Sequence, residues 1–597
     1  MPCTTILVGK DASYDGSTII ARNDDSGSGR YDPKKFVAVS PAEQPREYHS
    51  VISRMTLTLP DDPCAYAMVP NAGPDRGILA ESAVSVRNVA MSATETISVN
   101  SRVLAADPFV EYRPATGAEG EPGYEPEQPG GFGEEDIITL VLPYVHTARE
   151  GVRRVADLLE SVGTYESNGI IIADVDEIWY VETIGGHHWI ARRVPDDAYA
   201  VVPNQLGIDF FDIDDAFGQQ REFMCSADLV DFIAEHHLAR EMNPSPARIN
   251  AFNPRRAFGT ATPKDHIYNT PRAWYMQRHL NPSSQWELAE CDGGGAASSA
   301  AAYEIGLGSA ASPAAVDVDR QVFRPESNDI PWCRVPDDKV TIEDVDFLMS
   351  SHFEGTPYDP YGTTGTPESR HRYRPIGVNR TGQMVAMQIR PYVPDAYRSV
   401  MWIAYGSGPF TTAAPFYANV AATPAYLRET PVDEVSTDCL YWSNRLIAAL
   451  ADAHYFETSN LVEQYIEDVQ AHGHRTVAET DRLAQSAGRA GKRNDSSAES
   501  SNEPSAESST KLATELAVEP AAGPSVNLSA SSVAGSHAEP AAEPAAGADA
   551  VRDILEQANE STAAWLRKRT SKLLFDVLYT TSNLMHNSFA MSDHWTK

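Results

Sequence analysis

A cysteine three residues into the chain, Cys3, opens the β-branched run Thr4-Thr5-Ile6-Leu7-Val8. A cysteine that becomes the first residue of a chain carries a thiol and an α-amine on one residue. An α-amine titrates near pH 8, close to a thiol, so it can serve as base for its own side chain. An adjacent base is what a thiol nucleophile needs. Here Met1 and Pro2 stand in front. Removing the initiator methionine leaves Pro2 on the amine, so a second cleavage is required, and attack by Cys3 on the preceding carbonyl is one way to supply it. Farther along, Ala21-Arg22-Asn23-Asp24-Asp25 follows an apolar run and precedes the turn-forming stretch Ser26–Gly29. An arginine near a thiol favours the thiolate, and a carboxylate can orient an α-ammonium or hold the arginine. Each block also has a plainer reading. Cys3 can be a small apolar strand residue, and Arg22–Asp25 the solvated end of a hairpin; the residue types alone leave both open.

Other chemistries have weaker support. There is no His-Glu-x-x-His run, and His187-His188 falls in a predicted strand, where neighbours point to opposite faces and cannot share one ion. The glycines near Gly293 lack the strand–loop–helix setting of a phosphate-binding loop. No Gly-x-Ser-x-Gly elbow stands at a strand-to-helix junction. No metal and no cofactor are therefore expected.

The elements that must position Cys3 are short strands. Thr4–Val8 and Ser17–Ala21, joined through Asp11, Asp15 and Gly16, predict a hairpin that sets Arg22–Asp25 beside Cys3. Ile137 to Gly163 has helical spacing with Pro143 as a kink or boundary. Gly169–Ala173, Glu177–Glu182, His187–Val194 and Ala198–Val202, separated by tight turns, predict a four-strand antiparallel meander. A second strand-rich stretch runs from Arg374 to Tyr405. Antiparallel sheet flanked by helices makes the predicted class α+β.

Bulk properties bound the rest. The 83 acidic and 48 basic residues give a net charge of -35, which repels phosphate and argues against a nucleic-acid partner. No run approaches the ~18 apolar residues of a membrane span, so no membrane partner is expected. Six scattered cysteines without a Cys-x-x-Cys pair, and no leader-like N-terminus, predict a cytoplasmic protein. Residues 291–318 are rich in Gly, Ala and Ser and read as a low-complexity insertion. Residues 488–549 are rich in Ser, Ala, Glu and Pro and read as a disordered linker. Between them and the start, residues 3–487 form the expected catalytic domain. After the linker, Val551, Ile554, Leu555, Ala558, Leu573, Leu574, Val577 and Leu578 recur at helical spacing, so residues 550–597 are expected to return as a helical segment packed on the main body. The Leu461, Tyr465 and Val469 stripe reads likewise as core-facing, while a homo-oligomer remains open.

Cys3-Thr4-Thr5, Asp15-Gly16-Ser17-Thr18 and Ala21-Arg22-Asn23-Asp24-Asp25 together resemble the start of the bacterial cysteine dipeptidases of the Ntn-hydrolase superfamily, with a more distant likeness to bile salt hydrolases and penicillin V acylases. Asn88–Glu95, Tyr268-Asn269-Thr270-Pro271-Arg272, Pro331-Trp332-Cys333-Arg334, His352–Asp359 and Trp402–Gly408 extend the resemblance over most of residues 3–480. It implies a four-layer αββα Ntn-hydrolase sandwich and metal-independent hydrolysis of dipeptides of broad specificity through a thioester. By the same resemblance Cys3 matches the nucleophile and Arg22 the arginine that supports the thiolate. Asp25 matches the aspartate at the α-amine, with Asp24 the weaker choice. Asn204 matches an oxyanion-hole asparagine, which fits its capacity to donate a hydrogen bond to an oxyanion, although a turn-forming Asn reads as well. Arg272 matches a second active-site arginine by its order along the chain. The alternatives are another amidase of the superfamily, cutting a bile-acid or N-acyl amide, and a non-catalytic interaction protein that keeps the fold.

Overall fold

In the computed structural model, residues 3–238, 251–288, 322–498 and 546–587 are described. Thr4–Val8 (β1) and Thr18–Asp25 (β2) form the antiparallel hairpin that the β-branched runs predict, with Thr4 opposite Asn23 and Thr5 opposite Arg22. The turn between them relies on Asp15, whose carboxylate accepts the Ser17 N–H at 3.1 Å, and on Gly16, which adopts φ +83°. Only glycine takes that conformation without a steric penalty. Every residue of both strands is buried, so the hairpin lies inside the protein.

Seven further strands follow: Val37–Val39 (β3), Tyr66–Met68 (β4), Ser82–Ser85 (β5), Ala90–Thr96 (β6), Asn168–Ala173 (β7), Ile178–Ile184 (β8) and His188–Arg193 (β9). Tyr199–Val202 (β10), Phe223–Cys225 (β11), Cys333–Arg334 (β12), Thr381–Ile389 (β13), Ser399–Tyr405 (β14) and Ala414–Tyr417 (β15) complete two antiparallel sheets. The first has the order β12-β10-β1-β2-β13-β14-β15, and the second β11-β9-β8-β7-β6-β5-β4-β3. The predicted meander is therefore three strands, not four. β7, β8 and β9 pair in sequence, but β10 crosses to the other sheet and pairs with β1. The Pro195–Asp197 turn makes the crossing. The Asp196 carbonyl accepts the Asp11 N–H at 2.7 Å and Gly9 donates to Ala198 at 2.9 Å, which binds the chain to the β1–β2 turn.

The sheets stack face to face. Leu7, Ile20, Val385, Met401 and Ile403 of the first share one buried core with Ala67, Val84, Ala90, Ile171 and Ile190 of the second. Helices cover the outer faces. Ile137–Val141 (α1) and Ala148–Ser161 (α2) lie over Met91, Ile172, Trp179 and Val181 of the second sheet. Pro143 sits in a 3-10 turn between these helices, where its missing N–H removes no helical bond. Thr147 caps α2 by accepting the Glu150 N–H at 3.1 Å. Val152, Val155 and Leu159 of α2 are fully buried, each worth roughly 1.5–3 kcal/mol. On the other side Thr270–Leu280 (α3) and Ile342–Ser350 (α4) pack on Ile6, Ile19, Met384 and Val400. The observed class is α+β, a pair of antiparallel sheets between helices.

Leu440–Asp452 (α5) leads into the long helix Tyr455–Ala498 (α6), and Ala546–Ser582 (α7) packs along it. α6 continues past 488, so that end of the expected linker is helical; 499–545 and 291–318 lie outside the described residues. Tyr465, Val469, Val551, Leu555, Leu573 and Val577 are buried. Leu578, read as part of the same stripe, is 49% exposed, because one further residue turns a helix by about 100° away from the buried line. α7 also covers the sheet edge: Asn559 accepts the Tyr417 N–H at 2.8 Å and donates to its carbonyl at 3.0 Å. Edge strands carry unpaired backbone groups, and this amide pairs both of one residue's. Among the described residues no helix is long and apolar enough to cross a membrane.

Candidate active site

Cys3 lies at the head of β1 with no solvent exposure, and Arg22 comes to it across the hairpin. The Arg22 Nη2 donates to Cys3 Sγ at 3.0 Å and to Glu134 Oε1 at 2.7 Å, and stands 2.9 Å from Glu81 Oε2. Arg22, Asn23, Asp24 and Asp25 are 0%, 1%, 2% and 0% exposed. That burial excludes the solvated hairpin end. A guanidinium on a buried sulfur stabilises the thiolate through a charge-assisted hydrogen bond.

The two aspartates go to different partners. Asp24 pairs with buried Lys34. Asp25 accepts from Arg374 and, at 2.6 Å, from the Thr381 hydroxyl on the neighbouring strand β13. Arg374 Nη1 also reaches Thr4 Oγ1 at 3.3 Å, so Asp25 is linked through one side chain to the residue after Cys3.

Asn204 and Arg272 meet on the other flank. Asn204 follows β10, which pairs with β1, and its Nδ2 donates to the Thr96 carbonyl at 2.9 Å. Arg272 stands in the first turn of α3, beside the N-terminal Pro271 that this position tolerates. Its fork spans the Cys3 carbonyl, Thr4 Oγ1 at 2.6 Å, Asn204 Oδ1 at 2.8 Å and Asn269 Oδ1 at 3.0 Å. Its Nε donates to the Tyr268 carbonyl at 2.8 Å. The planar geometry of arginine suits such a clamp in a way lysine cannot. Arg22, Asp25, Asn204 and Arg272, singled out in the sequence with Cys3, thus gather around Cys3 and Thr4 at the head of β1.

Around the sulfur, Arg22 stands among several buried acids, with Lys34 behind them. Burial pushes the Glu81 carboxyl well above the carboxylate range, with Arg22 pulling the other way. Burial also raises Glu134, but the charges facing it, Arg22 among them, outweigh that and hold it below its usual range. Glu166 accepts the Glu134 N–H at 2.8 Å; burial and then the Glu134 charge push it up to about 7. The two carboxyls on Arg22 are thus driven in opposite directions, Glu81 upward and Glu134 downward. Burial raises Asp24 against Lys34, while for Lys34 burial pulls down and the acids around it, Asp24 first and then Glu81, together raise it.

Glu81, Glu134, Glu166, Lys34 and Arg374 were not singled out in the sequence. Glu81 offered a signal as the lone acid in Ile78-Leu79-Ala80-Glu81-Ser82-Ala83-Val84. Glu134 was hidden, because Glu134-Glu135-Asp136 before Ile137 reads as an acidic helix start, which the helix dipole favours anyway. The His352–Asp359 segment turns out to be a buttress. His352 Nδ1 meets Asp359 at 2.8 Å, and just before it the Met349 carbonyl accepts the Asn23 amide at 2.6 Å, which fixes β2 beside Arg22. His187 and His188 both direct Nδ1 at Asp107, at 2.9 and 2.7 Å. They share a carboxylate despite the alternation expected of a strand, because His187 still belongs to the turn before β9. A cavity of about 650 Å³ lined by Val37, Tyr48, Tyr66, Met68 and Glu135 does not include Cys3. Its size carries less weight than the chemistry gathered at β1. Among the described residues no group of three His, Cys, Asp or Glu side chains could hold a metal ion.

Comparison with known proteins gives the same direction. The profile of peptidase family C69 matches residues 2–468. A dipeptidase of Bifidobacterium longum is 50% identical over 599 residues, covering 99% of this chain and all of the relative. A probable dipeptidase A of Streptococcus pyogenes is 48% identical, covering 79% of this chain and 88% of the relative. Dipeptidase A of Lactobacillus helveticus is 40% identical, covering 80% and 88%. With a matched segment that holds Cys3, Arg22, Asp25, Asn204 and Arg272, the chain belongs to peptidase family C69.

Proposed function

We propose that this chain is a thiol dipeptidase, with residues 3–487 as its catalytic unit in a four-layer Ntn-hydrolase arrangement and Cys3 as nucleophile once Met1 and Pro2 are removed. The observation that carries the reading is the buried Arg22 guanidinium on Cys3 Sγ at 3.0 Å. The names of relatives at 40–50% identity favour dipeptides over N-acyl or bile-acid amides.

In this reading the freed α-amine takes the thiol proton and the sulfur attacks the scissile carbonyl. Asn204 and a backbone N–H hold the oxyanion, with Arg272 fixing the Asn204 amide relative to Cys3. The α-ammonium then protonates the leaving amine. Water, deprotonated by the same amine, resolves the thioester and restores the thiol. Asp25, set by Arg374 and Thr381, orients the α-ammonium. Among the described residues no cysteine is in a disulfide, which suits a reducing cytoplasm.

Intact-mass analysis of active protein, run beside a panel of dipeptides and a conjugated bile acid, tests this. The expected result is a chain beginning at Cys3 that cleaves dipeptides, is inactivated by a thiol-alkylating reagent and resists EDTA. Full activity with Pro2 still attached, or in Cys3→Ala, sinks the mechanism.

A further inference from the structure

The outer face of the α6–α7 pair exposes large apolar side chains. On α7, Phe575, Leu578 and Tyr579 are 64%, 49% and 66% exposed, and Phe456 at the start of α6 is 65% exposed. Exposed clusters of large apolar side chains mark interaction sites. Along the same outward line α7 exposes Lys568 and Lys572, the latter paired with Asp576 one turn on, while α6 exposes Glu463 and Glu467. The helices run antiparallel: Tyr465 meets Thr570 at 3.0 Å, Arg569 meets Asp468 at 2.8 Å, and His472 stacks on Trp565 at 3.9 Å. That register sets Glu467 level with Lys568, Glu463 level with Lys572, and Phe456 level with Tyr579, each within a turn. Both helices rest on β15 and α5, so their outer faces look the same way. The α6 side of this face lies within the family-matched residues 2–468, and α7 lies beyond them.

We infer that this face is a homodimer interface with its two-fold axis parallel to the hairpin. Such an axis lays α6 of one copy on α7 of the other at the same level. Glu463 and Glu467 then face Lys572 and Lys568 of the second copy, and Phe456 enters the Phe575–Leu578–Tyr579 patch. The contact is isologous, so each pairing is made twice. Acid on base also fixes the orientation, because α6 on α6 would set like charges together.

Light scattering on the eluting full-length protein tests the inference. The wild type is expected to elute at an even multiple of the 65.1 kDa chain mass. Phe575→Glu with Tyr579→Glu halves the mass while melting temperature and hydrolysis stay near wild type. Glu463→Lys with Glu467→Lys also halves it, and adding Lys568→Glu with Lys572→Glu restores it. A monomeric wild type, a mass unchanged in Phe575→Glu/Tyr579→Glu, or no rescue by the reciprocal charges overturns the interface.

Discussion

Replacing Arg22 by methionine separates what this residue does for the fold from what it does for the sulfur. Arg22 and Glu134 form a buried ion pair, 0% and 5% exposed at the side chain. Removing one partner of such a pair typically costs about 3–5 kcal/mol, because the other charge is left in a medium that cannot solvate it. Glu81, already pushed toward its neutral form, adds little to that loss. Arg22→Met with Glu134→Gln takes away both charges and should recover most of the stability. The activity should not return. A hydrogen bond to a charged group contributes about 1.5–3 kcal/mol, so without the guanidinium on Cys3 Sγ the thiolate is roughly 10- to 150-fold harder to form. Urea melts of the three proteins, kcat/KM on a dipeptide, and the pH dependence of iodoacetamide alkylation are the measurements. The double variant is expected to melt near wild type, to lose about that factor in kcat/KM, and to move its alkylation midpoint up by about 1–2 pH units. A double variant with wild-type activity, or a single variant as stable as wild type, refutes the reasoning.

Arg272→Lys keeps the charge but loses the fork that spans Cys3, Thr4, Asn204 and Asn269. It should lower kcat roughly 10- to 100-fold, short of the ~10²- to 10³-fold cost of losing an oxyanion donor outright, with alkylation of Cys3 little changed; equal losses in both would assign Arg272 to the thiolate instead. Glu182 is fully buried, accepts the Gly207 and Ile208 N–H groups, and is raised by burial to about 7. A carboxyl raised in the folded state stabilises most below its unfolded value and loses that contribution as pH rises through about 7. Glu182→Gln should therefore gain on wild type by up to about 3 kcal/mol at pH 8 and by little at pH 4, read by melts across that range. A gain that does not depend on pH would refute the assignment. Asn559→Ala removes two bonds to the Tyr417 backbone on the sheet edge and should cost about 1–3 kcal/mol, with faster amide exchange confined to β15 and α7.

The sequence by itself determined the local matters. β-branched runs and an Asp-Gly turn are enough to make the β1–β2 hairpin, because strand pairing across a short turn needs only neighbours in the chain. That hairpin already sets Arg22 beside Cys3. The outer helices α1 and α2 and the break at Pro143 follow from periodicity and a missing N–H in the same way. Only the tertiary structure decided what depends on distant segments. Tyr199–Val202 reads as the fourth strand of a meander, yet it leaves for the other sheet and carries Asn204 to Cys3; a strand of buried residues pairs equally well on either side until the partner edges exist. Glu81 and Glu134 come from separate parts of the chain to meet one guanidinium. The role of each is a matter of burial and of a neighbour's charge, neither of which is a property of the residue alone. For Cys3 the sequence offered a nucleophile or a small strand residue with equal chemistry. The structure adds a buried guanidinium on the sulfur, the contact on which the proposed thiol chemistry rests.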